Sequence, residues 1–341
     1  MANIALTATC NRACSFCFAT DAMESQPEPG KFMSVEQFDQ ALDFLVRSQI
    51  PEARLLGGEP TLHPEFESFV DRALARGLRL VVFSGGMIPE KALRRLERVP
   101  ADTLTLLLNV IDPGGKEPQQ LTRQEQVLRR LGTRIVLGVT LDSPAVQLGF
   151  LLEMIEQYGL ARSVRLGLAH PALTGGNSYL HPRHYPEVGR RVTEFGLEAQ
   201  RRGVRLEFDC GWVPCMFPEG ALVALGKTPD DVGLRCSPIL DLLPDGQMIS
   251  CYPLATHATA ALASDHDARQ LRAHFVLRQQ NDRQLMLYRE CEQCSWRARG
   301  ECTGGCLSAS LRRLRRREFS VSVPRVSIGV REVTPAAPEV A

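Results

Sequence analysis

Three of the chain's eleven cysteines stand within eight residues, in "CNRACSFC", as Cys10, Cys14 and Cys17. Two or four local thiolates could pair into disulfides or close a tetrahedral zinc site, but three leave one coordination position to be filled from elsewhere. Gaps of three and two residues let one loop fold around a cubane so that each sulfur reaches a different iron, cysteine thiolates being the usual ligands of such clusters. The fourth iron is then free to bind something else. Further on, "LLGGEPTLHPEF" begins at Leu55 and holds Gly57, Gly58, Glu59 and Pro60 directly after a short apolar run. Glycines at a strand end let backbone approach a ligand closely, and Glu59 adds an acceptor suited to an ammonium group. As an isolated tetrapeptide the same residues also read as a turn.

With aromatic Phe16 before its last cysteine, the loop resembles the CxxxCxΦC signature of the radical S-adenosylmethionine (radical SAM) superfamily. The resemblance implies a [4Fe-4S] cluster whose open iron chelates the amino and carboxylate groups of S-adenosylmethionine. An electron from that cluster would cleave the sulfonium to give a 5′-deoxyadenosyl radical. Gly57, Gly58, Glu59 and Pro60 resemble the family's GGEP element, which holds the methionine amino group. Phe16 would cover the adenine or pack the loop. Structural zinc is the competing reading of the three thiols.

Eight cysteines remain: Cys210, Cys215, Cys236, Cys251, Cys291, Cys294, Cys302 and Cys306. Their spacing, Gly246-x4-Cys251 closing the stretch from Cys236 and then Cys291-x2-Cys294-x7-Cys302-x3-Cys306, resembles the SPASM extension of radical SAM enzymes. Two departures stand out: a seven-residue gap where the family has five, and no cysteine after Cys306. Eight thiolates permit two auxiliary [4Fe-4S] clusters. The family's crossed ligation would join Cys236, Cys251 and Cys306 with Cys210 or Cys215, and leave Cys291, Cys294 and Cys302 on the other cluster without an assigned fourth ligand. Alternatively Cys210, Cys215, Cys236 and Cys251 form one set and the four late cysteines the other. A zinc knuckle at Cys291 to Cys306, or one cluster with Cys210 and Cys215 as spare core thiols, are the rival readings.

The elements that must position these residues alternate through the first half. Strand-like runs "NIALTA", "ARLLG", "LRLVVFS", "TLTLLL", "RIVLGVTL" and "SVRLGLA" are separated by helical patterns near 34–48, 64–76, 89–98, 120–131 and 145–158. Repeated βα units argue a parallel sheet with right-handed crossovers and helices outside. The fold class expected is α/β: a partial (β/α)6 barrel over 1–203, a small cysteine-rich SPASM-like domain over 204–318, and a weakly structured tail over 319–341. Active residues of barrels lie at the carboxyl ends of strands, and both motifs obey that rule. It nominates Ser84, Gly85, Gly86, Asn109, Thr140 and Asp142, with Arg165 in the sixth strand. By resemblance, Ser84 and Asn109 touch the methionine carboxylate or ribose and Arg165 pairs with that carboxylate. Each of these polar residues has helix capping as its bland alternative. His63, His170, His181 and His184 read as non-ligands, Met216 as core, and "LRRLRRRE" at 311–318 as a solvated helix end.

Lys plus Arg is 40 against Asp plus Glu 39, a formal charge of +1, which makes no electrostatic case for nucleic acid. No signal-peptide pattern and no membrane-length apolar run is present, so a cytoplasmic location with reduced cysteines is expected. The resemblance implies a radical SAM oxidoreductase or maturase acting on a peptide or protein substrate, fed by an electron donor such as flavodoxin or ferredoxin. Only nine residues precede Cys10, so leader recognition is expected to need a separate adaptor or direct docking. A small-molecule oxidase or epimerase is the alternative within enzymes. An iron–sulfur electron-transfer or scaffold protein is the alternative outside them, and Glu59 beside two glycines argues against it, because an electron carrier has no need to bind a sulfonium.

Overall fold

β1 (Asn3–Thr7) is buried at every position, as befits a strand with neighbours on both sides and cover on both faces. It pairs in parallel with β2 (Glu52–Gly57), and the sheet continues in chain order through β3 (Arg79–Ser84), β4 (Leu104–Asn109), β5 (Ile135–Leu141), β6 (Ser163–Leu168) and β7 (Arg205–Phe208). The connections carry α1 (Thr20–Glu24) and α2 (Val35–Arg47), then α3 (Phe66–Ala75), α4 (Glu90–Glu97), α5 (Pro118–Leu131), α6 (Gly149–Tyr158) and α7 (Tyr185–Arg201). The computed structural model describes residues 1–26, 30–110, 118–145, 147–173 and 176–315. The expected tail over 319–341 lies outside them, as does the end of the basic run at 316–318.

Local chemistry sets the element ends. Ser34 opens α2 with a reciprocal capping box to Gln37, which satisfies two otherwise orphaned donors. α6 stops at Gly159, whose φ of 60° is left-handed, a conformation a β-carbon penalises. Strand residues alternate between faces. Leu104, Leu106 and Leu108, Leu137 and Leu141, and Val164, Leu166 and Leu168 enter the core with helix residues such as Leu93, Leu96, Leu151 and Ile155. On the other face the guanidinium carbons of Arg54 and Arg165 each lie 5.1 Å from the Phe83 ring centroid. Two strands separate β3 from β6, so this meeting requires the sheet to curl. The polar face is therefore concave and the leucine face is convex.

The sheet is larger than the six barrel strands expected, and the run "VRLEFDCGWVPC", which reads as a strand and loop, supplies one of the additions. β7, just past the boundary anticipated near Gly203, pairs with β6. On the opposite side β8 (Asp241–Leu242) pairs in parallel with β1, and β9 (Gln247–Ile249) and β10 (Thr259–Ala261) continue antiparallel. The cysteine-rich segment thus extends the barrel sheet at both flanks. Strands of two or three residues are too short for an alternating pattern to reveal. β8 is fixed by side chains: Asn3 Nδ2 donates to Asp241 Oδ1 (2.6 Å), Arg54 Nε donates to Asn3 Oδ1 (3.1 Å), and the Tyr252 N–H donates to Asp241 Oδ2 (3.2 Å). Burial pushes the Asp241 carboxyl up to about 6 against those donors. Among the described residues no helix is long and apolar enough to cross a membrane.

Candidate active site

Cys10, Cys14 and Cys17 occupy the loop that leaves the carboxyl end of β1. The Cys17 N–H donates to the Cys14 carbonyl (3.1 Å) and closes a turn. Burial pushes the Cys10 and Cys14 thiols up; the Arg12 backbone N–H at Cys10 and the Arg12 charge at Cys14 work against it. Glu59 and the other two cysteines raise Cys10 further, so the two motifs meet in space. Arg12 pins the loop from above: its Nη1 donates to the carbonyls of Gly85 and Asn109, each at 3.1 Å, while Asn11 Nδ2 donates to the Met87 carbonyl (2.8 Å). A β-carbon on Gly85 would stand 2.5 Å from the Arg12 side chain. The loop is therefore tied to the ends of β3 and β4.

Gly57 and Gly58 do allow a close approach, but to protein. A β-carbon on Gly57 would fall 2.3 Å from the Thr7 carbonyl oxygen, and one on Gly58 2.2 Å from that of Thr9. The Gly58 and Glu59 N–H groups donate to these same carbonyls at 2.8 and 2.9 Å. Glu59, expected as an open acceptor, is only 2% exposed. Its Oε1 accepts from the Thr61 hydroxyl (2.5 Å) and N–H, and its Oε2 from the Ser84 hydroxyl (2.9 Å) and the Gly85 N–H (3.0 Å). Burial pushes its carboxyl up despite these donors. Glu59 is thus a bracket joining the ends of β2 and β3, with Pro60 buried at the start of the turn Pro60–Leu62.

The remaining nominees divide. The Ser84 hydroxyl is engaged on both sides, donating to Glu59 and accepting from the Gly86 N–H (3.0 Å), which leaves it no free donor for a ligand. Asn109 is half-buried at the end of β4, and Gly138 on β5 leaves room for its side chain. Phe16 is half-buried in the loop. Arg165 sits third in β6, not at its end, and is ion-paired with Asp209 beside the Phe83 ring. Asp142 accepts from the Ser178 hydroxyl (3.4 Å).

The later cysteines sort into two groups of four. Cys236 and Cys251 are pushed up by burial, Cys236 to about 12, and each is raised further by Cys306 and Cys210. Cys215 is pushed up to about 11 by burial and by Cys291, Cys302 and Cys294. Cys210 and Cys215 are therefore parted, and Cys306 leaves its sequence neighbours to join the first set. These neighbours match the crossed grouping, with Cys215 beside Cys291, Cys294 and Cys302. Each set offers four thiols, the donor number of a [4Fe-4S] cluster. Among the described residues no three Cys, His, Asp or Glu side chains converge to hold a single metal ion.

Three polar residues at these sites escaped the sequence reading or were set aside by it. Arg12 is the one charge between Cys10 and Cys17, and that isolation was a usable signal. Asn177 Nδ2 donates to the carbonyls of His170 (2.9 Å) and Phe16 (3.3 Å), tying the loop after β6 to the first cysteine loop. His170 is 4% exposed and lies against Cys210 and Cys306. His63 behaves as expected of a structural residue, its Nε2 paired with the Met33 carbonyl (2.9 Å) and its Nδ1 accepting from the Glu65 N–H (3.0 Å). The helix Leu307–Arg315 is less solvated than its basic residues suggested: Leu311 is buried and Arg312 donates to the Ala172 carbonyl (2.7 Å).

Residues 4–142, from the first strand through the fifth, match the family described as Radical SAM superfamily. The chain is similar to that superfamily over those residues, less than half of its length. Over most of its length it shares the fold of native anSMEcpe with bound AdoMet, at 15% identity and a TM-score of 0.64, covering 90% of this chain and 89% of that one. It shares the fold of Streptococcus suis SuiB bound to precursor peptide SuiA at 13% identity and a TM-score of 0.61, covering 89% and 70%. In sequence it is similar to the mitochondrial GTP 3′,8-cyclase of Arabidopsis thaliana, 29% identical over 140 residues, 40% of this chain and 35% of that protein. The mycofactocin maturase MftC of Mycobacterium tuberculosis is 34% identical over 91 residues, 26% and 22%. The subtilosin biosynthesis protein AlbA of Bacillus subtilis is 29% identical over 90 residues, 26% and 19%. The chain thus spans about a third or less of these curated relatives.

Proposed function

We propose that the chain binds S-adenosylmethionine at a [4Fe-4S] cluster held by Cys10, Cys14 and Cys17, and modifies a peptide or protein by oxidation, cross-linking or epimerisation. The observation that carries this reading is the placement of three thiols at the carboxyl edge of parallel strands, clamped by Arg12 and underlain by the Glu59 bracket. When bound, the cluster and S-adenosylmethionine supply a 5′-deoxyadenosyl radical able to take hydrogen from an unactivated carbon. The chain's own residues fix where that happens. Arg12 sets the height of the loop over β3 and β4, Glu59 holds Ser84 and Gly85 beneath it, and Phe16 and Asn109 flank the space left for the nucleoside. The concave face below, with Arg165, Asp209 and Phe83, receives the substrate. Cys210, Cys236, Cys251 and Cys306 would hold one auxiliary cluster, and Cys215, Cys291, Cys294 and Cys302 another.

The peptide reading is supported by likeness in fold to a protein solved with its precursor peptide and in sequence to a maturase and a bacteriocin biosynthesis protein. It carries with it a cytoplasmic location and a flavodoxin- or ferredoxin-type electron donor. Similarity to a GTP cyclase favours a second reading, a small-molecule substrate. Reduced protein should convert S-adenosylmethionine to 5′-deoxyadenosine, and Cys14→Ala should not; undiminished conversion by that variant overturns the assignment. Mass spectrometry of extracts with and without the enzyme then decides the substrate. A peptide lighter by two hydrogens, or one that takes up deuterium, favours the first reading, and a changed metabolite the second.

A further inference from the structure

We propose that His170 is a positioning residue that delivers Cys210 to the first auxiliary set, acting from the barrel on the cysteine-rich region. The inference rests on the reading that Cys210, Cys236, Cys251 and Cys306 hold an iron–sulfur cluster. Among these four, Cys306 is buried and Cys210 is exposed, so Cys210 needs a separate hold. It follows β7 directly, and the turn there contains Gly211 at φ +96°, where a β-carbon would fall 2.2 Å from the His170 ring. The imidazole therefore fills a notch that only glycine leaves open. His170 Nε2 lies 3.2 Å from the Cys210 carbonyl. A carbonyl only accepts, so Nε2 carries the hydrogen.

The surroundings of the ring distinguish this histidine from His63. His63 uses both of its nitrogens. His170 Nδ1 is buried with no nitrogen or oxygen partner, and the ring lies within hydrogen-bonding reach of the Cys306 and Cys210 side chains. The ring thus borders two thiols of the first set. A histidine that donates one nitrogen to a carbonyl while its ring borders a metal site orients the ligands there. The loop carrying His170 is held in turn by Asn177, which also holds the Phe16 carbonyl.

The test uses the full chain with Cys10, Cys14 and Cys17 replaced by alanine, so that only auxiliary iron is counted. Anaerobic reconstitution of this parent should give about eight irons. Adding His170→Phe, which keeps ring volume and removes the N–H, should make about four of them roughly 10- to 100-fold more labile to a chelator. It should also produce the [3Fe-4S] signal in electron paramagnetic resonance that a lost ligand leaves. Cys210→Ala should behave alike, and His170→Gln, whose amide can reach the Cys210 carbonyl, should restore the parent behaviour. About eight irons with unchanged lability and spectrum in His170→Phe overturn the role of His170 alone. Failure of His170→Gln to rescue assigns the effect to packing and also overturns it. A parent without auxiliary iron overturns this inference and the auxiliary-cluster reading together.

Discussion

The two cysteine regions are built on opposite principles. Cys10, Cys14 and Cys17 ride on strands of five to seven residues, and the groups that place them are polypeptide: the Thr7 and Thr9 carbonyls, the Arg12 guanidinium and the Glu59 carboxylate. The later cysteines are linked by strands of two or three residues and by short turns, with the helices Ala268–Arg278 and Leu307–Arg315 as the longer elements. A scaffold of the first kind is complete before its ligand arrives. One of the second kind has little regular structure to hold eight thiols apart, and under the proposed function ligation would supply the missing constraint.

The sharpest way to break this contrast is to remove iron from each region separately. Replacing Cys10, Cys14 and Cys17 by alanine should leave the melting transition in place, whereas replacing Cys251 and Cys306 should open residues 210–306 to limited proteolysis. Equal sensitivity of the two variants would erase the distinction. Next in size, Glu59→Ala leaves the Thr61 and Ser84 hydroxyls and the Gly85 N–H without their acceptor and should cost roughly 3–5 kcal/mol in chemical denaturation. S-adenosylmethionine affinity should fall with it, and unchanged affinity would remove the bracket from the site. Gly58→Ala sets a methyl group against backbone that cannot yield without moving Cys10, and should cost about 3 kcal/mol together with the radical-site iron. Retention of that iron would show the approach of β2 to be dispensable.

The smallest effect is a pH dependence at Asp241. Its carboxyl is raised in the folded chain to about 6 from an ordinary 3.8, so the folded state holds the proton more tightly than the unfolded state. That contribution is fully present below about pH 4, declines as pH rises through 6, and amounts to at most about 3 kcal/mol. Asp241→Asn cannot ionise, so its stability relative to the parent should improve between pH 4.5 and 7 and then level off. A difference that stays flat with pH would place Asp241 in a more polar setting than its burial implies.

What could be read from the residues followed from spacing. Cysteines three and two residues apart, glycines after an apolar run and alternating leucines each carry a period, and β1 to β6 fall where those periods place them. What escaped has no period. β8 is two residues long and is defined by its partner β1. The engagement of Glu59 with Ser84 and Gly85 joins residues 25 and 26 apart in the chain. His170 looked like any loop histidine because Cys210 and Cys306 reach it only after folding. The separation of Cys210 from Cys215 is likewise a property of where β7 ends, and no gap length encodes it.

β8 also has a meaning for how the sheet keeps its edge covered. Through it the cysteine-rich half covers the flank of β1, the strand from which the cluster-bearing loop emerges. Were that half lost or left unfolded for want of iron, the N–H and C=O groups along the flank would face water as an open template for another chain. Iron starvation would then turn an enzyme deficit into an aggregation hazard, nucleated at the strand nearest the chemistry.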